Sequence, residues 1–266
     1  MKLLTALCAT SILFSCNLYA NDSAVIESLV IKQELLDEEQ QRLAETYKRM
    51  LRYYEQRNFS STRSVRILLS NYPQHVTPIL YAALERYPRH YRHIIKAAID
   101  AEPAFTREII SVALHLQVAD PGNLVRIAVA TEPSYAETVV SAVEEINPGH
   151  LNDVIRVAVT TEPNTADGIL RANSQQETSK LVRIIQTILS AGPTVGNYLA
   201  DTLSDIIGTN KESPVSELDQ DAKRVRAIKL LRSAYQHGGI TAEQLEQLAA
   251  KHDLSEADLS DIRENY

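Results

Sequence analysis

The sequence predicts an all-α fold: an α-solenoid of two-helix repeats about thirty residues long, with about fifteen residues to each helix. Three observations carry that prediction. Pro73, Pro103, Pro133, Pro163 and Pro193 stand thirty residues apart, with Pro88 and Pro148 at the half-interval. Between them an apolar template recurs, two residues, a skip, then three. It reads Ile94-Ile95 with Ala97-Ala98-Ile99, Leu124-Val125 with Ile127-Ala128-Val129, and Val154-Ile155 with Val157-Ala158-Val159. Trp is absent and Phe occurs three times, so the core has to be built from Ile, Val, Leu and Ala.

Ile and Val also suit strands. The template, however, does not alternate, and its spacings of three and four gather the apolar residues on one wide helical face. Ala in the middle of most blocks lets neighbouring helices approach to about 8–10 Å. A fifteen-residue unit holds a helix of about eleven residues and a turn of about four.

The chain opens with a basic Met1-Lys2 and an uncharged apolar run from Leu3 to Phe14. That run is too short for a membrane-spanning helix, which needs about twenty residues. It reads as a secretory signal peptide over residues 1–20, with Leu18-Tyr19-Ala20 before the cut. A lipoprotein leader ending at Ser15 is the alternative. Leu13-Phe14-Ser15-Cys16 has the outline of a bacterial lipobox, and Cys16 would be the lipidated residue, although Phe14 departs from the usual pattern. Cys8 and Cys16 are the only cysteines, so the chain beyond the leader holds no disulfide.

Residues 21–60 read as an N-terminal helix from Asp22 to Asn58. Leu29, Leu36, Leu43 and Met50 repeat every seven residues, with Ile26, Gln33, Gln40, Tyr47 and Tyr54 in the partner register. Gln at two of those five positions weakens a coiled-coil seam. A cap on the first repeat is therefore favoured over a dimerising or spacer helix, which would be about 50 Å long.

The repeats occupy residues 61–208, in fifteen-residue units without a gap. The template fades after Pro163, where Asn173 and Ser174 take apolar places. Each proline disfavours helical geometry at the residue before it, so Glu102, Glu132 and Glu162 should be extended and end their helices. Restart signals are Thr77-Pro78, a capping-box pattern at Ser134–Glu137, and the eligible caps Asn152 and Thr165. A polar linker follows at residues 209–218. Residues 219–266 then form a C-terminal unit: a helix from Asp219 to Gln236 stopped by Gly238-Gly239, a capping box at Thr241–Gln244, and a last helix opened by Ser255. This unit either caps the solenoid or forms a small independent bundle. The regularity is similar in kind to that of two-helix repeat proteins such as the tetratricopeptide and HEAT classes, but the thirty-residue period and the missing Trp-Leu-Gly-Tyr pattern match neither.

The net charge of −7 disfavours nucleic acid as a partner. No phosphate-binding glycine loop, His-Glu-x-x-His, Gly-x-Ser-x-Gly or paired-cysteine spacing is present. No catalytic residue, cofactor or metal is therefore expected. Two features suggest contact with a partner. Arg66, Lys96, Arg126 and Arg156 share one repeat phase, which stacking would align as cations about 10 Å apart. That row is either a groove for an anionic glycan or acidic protein segment, or a solvated face paired with Glu102, Glu132 and Glu162. The solvated face is favoured because such pairs are common. Tyr87-Pro88-Arg89-His90-Tyr91-Arg92-His93 is a basic, aromatic stretch suited to docking through Tyr87, Arg89, Tyr91 and Arg92. His90 and His93 lack a third metal ligand in reach. The last helices resemble a helix-turn-helix in packing, but Glu256, Asp258, Asp261 and Glu264 would repel DNA.

The resulting expectation is an exported, non-catalytic protein-interaction scaffold in the bacterial periplasm or cell envelope of a Gram-negative cell. The alternatives are an envelope enzyme acting on glycan and a lipid-anchored assembly factor that dimerises through its N-terminal helix.

Overall fold

The computed structural model describes residues 35–192, 196–208 and 217–264. The signal peptide, Cys16, Pro193 and most of the polar linker lie outside the described residues, as does the first part of the N-terminal helix.

Fourteen α-helices make up the described chain, ten of them in the repeats between Ser61 and Gly208, and it contains no strand. They are α1 (Glu38–Gln56), α2 (Ser61–Asn71), α3 (Val76–Arg86), α4 (Tyr91–Ala101), α5 (Thr106–His115), α6 (Pro121–Thr131) and α7 (Ala136–Ile146). Then come α8 (Leu151–Thr161), α9 (Thr165–Ala172), α10 (Thr178–Ala191), α11 (Gly196–Gly208), α12 (Glu217–Gln236), α13 (Ala242–Lys251) and α14 (Glu256–Arg263).

Each helix packs mainly on the helix two places along. The odd-numbered helices, α1 to α13, form one layer and the even-numbered ones, α2 to α14, form the other. One core runs between the layers, and the repeating template fills it. Ile94, Ile95, Leu124, Val125, Val154 and Ile155 are fully buried. Ala98, Ala128 and Ala158 are buried at the centre of their blocks, where a larger side chain would hold the layers apart. Ile127 and Val157, the first residues of their triplets, are half-buried and pack on the edge of this core.

The prolines act as the sequence implies. Glu102 (φ −139°, ψ 73°), Glu132 (φ −144°, ψ 89°) and Glu162 (φ −145°, ψ 101°) are extended and end their helices. Pro73, Pro88, Pro103, Pro133 and Pro148 each open a three-residue 3-10 turn that leads straight into the next α-helix.

That turn also displaces the expected caps. Because the proline turn already supplies a helical entry, α3, α7 and α8 start after His75, Tyr135 and His150 without a side-chain cap. Ser134 Oγ donates instead to Glu132 Oε1 (2.6 Å), and Thr165 Oγ1 donates to the Glu162 carbonyl (2.7 Å). Side-chain caps occur where no proline turn precedes the helix: Ser60 on α2, Asp120 on α6, Thr241 on α13 and Ser255 on α14.

The N-terminal helix is also corrected. Leu36 and Asp37 are not helical, and α1 begins at Glu38. The Asp37 carboxylate accepts the Gln40 backbone N–H (2.8 Å) while the Gln40 side chain accepts the Asp37 N–H (3.3 Å), and this capping box resets the helix. The buried stripe is Ala44, Tyr47 and Leu51, while Leu43 and Met50 of the expected heptad are only partly buried. Tyr47 fixes α1 to the next hairpin, its hydroxyl 2.6 Å from His75 Nδ1. Lys48 pairs with Glu85 across α1 and α3.

Beyond Pro163 the stack thins but continues. Asn173, in an apolar place, is buried with its side chain donating to the Ile169 carbonyl (2.8 Å), so its polarity is satisfied locally. Helix α12 packs on α10, α13 on α11, and α14 on α12, so the C-terminal helices extend the same two layers. Gly238 takes φ +73° in the turn that reverses the chain. At Gly239 a Cβ would lie 2.5 Å from Leu199 Cδ2 and 2.6 Å from Leu189 Cδ2, so the turn sits against α10 and α11.

Candidate functional site: a basic, aromatic edge at the N-terminal end

Layer stacking places Arg66, Lys96, Arg126 and Arg156 on α2, α4, α6 and α8 respectively, all exposed. Their partners are not the glutamates of the proline turns. Arg66 reaches Asp100 Oδ2 (3.0 Å), which also receives Lys96 (3.4 Å on Oδ1). Arg126 donates to Asn123 Oδ1 (2.7 Å), and Arg156 lies 3.5 Å from Asp153 Oδ1. Three of the four cations thus have a carboxylate beside them, which weakens the field the row projects. Glu102, Glu132 and Glu162 end α4, α6 and α8, on the opposite edge of the stack from the Tyr87–His90 turn.

The docking stretch forms the α3–α4 turn. Tyr87 and Tyr91 are half-buried, and Arg89, His90, Arg92 and His93 are exposed. Tyr87 stacks on His90 (centroids 6.1 Å, 12°), and the Arg86 guanidinium lies 5.5 Å from the Tyr87 ring. The fold brings a second cluster to this turn that the linear stretch does not contain. Ser61 Oγ, at the start of α2, lies 3.3 Å from His90 Nδ1, and Arg86 pairs with Glu55 near the end of α1.

Beside those contacts, Tyr54 stacks on Phe59 (5.6 Å, 13°) and neighbours Tyr53 (6.0 Å). Arg57 lies 5.1 Å from the Tyr53 ring and Arg63 lies 4.1 Å from the Phe59 ring. Rings and guanidinium groups are therefore interleaved between the end of α1 and the α3–α4 turn, where Arg57, Arg63 and Arg86 each gain from the ring face beneath them. A shallow cleft of about 420 Å³ on α1 adjoins them, lined by Thr46, Arg49, Met50, Tyr53 and Tyr54.

The charge of this end is unlike that of the whole chain. Residues 46–96 carry ten Lys or Arg against two Glu, a net +8, whereas residues 97–208 carry six against fourteen acidic residues, a net −8. Among the described residues no carboxylate pairs with Arg49, Arg52, Arg57, Arg63, Arg89 or Arg92, and all six are exposed. Most cations further along are paired instead, as Arg107 is with Glu145, Lys180 with Glu144 and Arg232 with Asp261.

A second concavity lies between α9 and α11. It has about 380 Å³ and is lined by Pro163, Asn164, Asp167, Arg171, Asp201 and Thr202 among others. Burial disfavours the Asp167 charge, but hydrogen bonds from Thr202 and Arg171 outweigh it and hold the pKa below the ordinary aspartate value. Arg171 also donates to Asp205 Oδ2 (2.8 Å). A carboxylate held ionised in this way latches α9 to α11 and is poorly placed to give up a proton. Among the described residues no three His, Cys, Asp or Glu side chains converge to hold a metal ion, and no helix is long and apolar enough to cross a membrane.

Fold and surface together define a two-layer helical-repeat protein with its charge segregated along the stack. Comparison of the chain with protein-family models, with curated proteins and with solved structures gives no match.

Proposed function

We propose that this chain is an exported, non-catalytic scaffold of the bacterial periplasm or cell envelope, which holds a protein or an anionic envelope ligand against its stacked helices. The observation that carries the reading is the stack itself, with its unpaired arginines gathered at one end. Solenoids offer extended surface in place of an enclosed site, and the two concavities described are shallow or internally ion-paired. Export rests on the basic and apolar opening of the sequence, Met1 to Phe14.

Cell fractionation and N-terminal sequencing test the reading. Recovery in the periplasm or envelope with Asn21 at the N-terminus supports export, as does a lipid-modified Cys16. A cytoplasmic chain that retains Met1 refutes it. The interaction role predicts that Arg→Gln changes at the basic end release whatever the purified chain holds without altering its helicity. Turnover of a glycan substrate by the purified chain would favour the enzymatic alternative.

A further inference from the structure

We infer that the basic, aromatic end formed by α1, α2 and the α3–α4 turn is a docking surface for an anionic phospholipid bilayer. This deepens the envelope reading by naming the partner of one surface, and it rests on that reading only for which membrane is met.

The geometry favours a phosphate-rich plane over a protein or a small molecule. A protein interface needs an apolar core that becomes fully desolvated. Here the rings are largely spent on one another, since Tyr54 covers Phe59, Tyr87 covers His90, and Arg57 and Arg63 cover Tyr53 and Phe59. Tyr53, 51% exposed, is the one large apolar side chain described at this end that is left more than half open. What faces outward is guanidinium, at six positions: Arg49 and Arg52 on α1, Arg57 and Arg89 in turns, Arg63 on α2 and Arg92 on α4. Guanidinium forks bind phosphate oxygens in pairs. Of the six cations only Arg49 lines the cleft on α1, so the set does not converge on one pocket and suits many headgroups side by side. The one open ring, Tyr53, lies among these cations and sits well at headgroup depth. The remainder of the repeats, at net −8, would be repelled by the same lipid. Attraction at one end and repulsion beyond it would stand the stack up from the membrane and leave the other helices free for a partner.

The test is co-sedimentation of the full chain with neutral phosphatidylcholine vesicles and with vesicles in which about a third of the lipid is phosphatidylglycerol. The ratio of the two partition coefficients is the readout, because any contribution of the apolar leader enters both. The wild-type ratio should lie well above one and collapse as salt rises, since screening shortens the reach of the cations. Arg89→Gln with Arg92→Gln should lower it about thirtyfold, at about fivefold per cation removed. Both side chains are exposed and pair with no carboxylate among the described residues, so the fold should survive. Arg57→Gln with Arg63→Gln is a second, independent pair with the same expected loss. Arg126→Gln with Arg156→Gln should leave the ratio unchanged, because that row lies outside the edge. A ratio near one, or a ratio indifferent to both edge pairs, overturns the inference. Binding to poly-glutamate or to a single-stranded oligonucleotide that is clearly tighter than to the vesicles at equal charge concentration also overturns it, in favour of an acidic polypeptide or a nucleic acid. Should fractionation place the chain in the cytoplasm, the export reading falls while the vesicle result stands by itself.

Discussion

Truncation of Ile155 to Ala should cost about 3–4 kcal/mol, and the same change at its neighbour Arg156 should cost almost nothing. Ile155 is fully buried on α8, a helix that touches α6, α7 and α10. The change deletes three carbons, worth about 0.8 kcal/mol each in transfer from water. An unfilled cavity adds to that sum, within the range of about 2–5 kcal/mol seen for such truncations. Arg156 points to solvent and lies 3.5 Å from Asp153 at its nearest carboxylate, a surface pair worth at most about 1 kcal/mol. Urea titration followed by far-UV circular dichroism gives both numbers. Hydrogen exchange would localise the loss, because repeats couple mainly to their neighbours. Protection should fall in α6 to α10 and hold in α1 to α3. A cost below about 1 kcal/mol for Ile155→Ala, or equal costs for the two variants, would refute the facing assigned to every helix of the even layer.

Three further outcomes follow from other parts of the molecule. Asp120→Ala removes the cap of α6, where the carboxylate accepts the Asn123 backbone N–H at 3.0 Å, and should lower stability by about 0.5–2 kcal/mol in a urea melt. Gly239→Ala should cost about 1–3 kcal/mol, because the new methyl meets leucine methyls of α10 and α11; a neutral result would mean that the C-terminal helices do not rest on the stack. The third concerns pH. Burial raises the Asp258 pKa, but hydrogen bonds from the Ser255 side chain and backbone and from Arg224 outweigh it, so the folded value is depressed. A depressed carboxylate stabilises above its unfolded pKa of about 3.9, and that contribution is lost as pH falls through the folded value. The stability difference between wild type and Asp258→Asn, read by thermal melts, should be constant near neutrality and vanish in acid.

Much of the fold was legible because the core template and the prolines act locally. A buried helical face and an extended residue before proline are properties of short stretches, so Ile94, Ile155, Glu102 and Glu132 could be placed from sequence spacing alone. Caps were read less well. Ser134 and Thr165 have the right chemistry, but Ser134 lies inside the 3-10 turn opened by Pro133 and Thr165 is already the first residue of α9, so neither stands where a cap would act. Asp37 shows the opposite case: its carboxylate and Gln40 form a capping box that starts α1 inside the stretch read as one helix from Asp22 to Asn58. At the candidate site the Tyr87–Arg92 stretch was visible because it is contiguous. Tyr53, Arg57, Phe59 and Arg63 were not, since their link to it depends on α1 and α2 packing beside α3 and α4. A windowed charge count would have exposed them, because the net charge of the whole chain cancels a basic end against an acidic middle.

The stacking order is tested most directly by distances along one layer. With Cys8 and Cys16 replaced by Ser the chain is free of thiols, so paired spin labels can be introduced at Arg66→Cys with Lys96→Cys, Arg126→Cys or Arg156→Cys. These sites lie on α2, α4, α6 and α8, successive helices of the even layer. Pulsed dipolar spectroscopy should give three single distances that lengthen by about 8–10 Å per repeat, the spacing of packed helices. Distances that fail to lengthen in order, or that coincide for the second and third pairs, would contradict the two-layer stack.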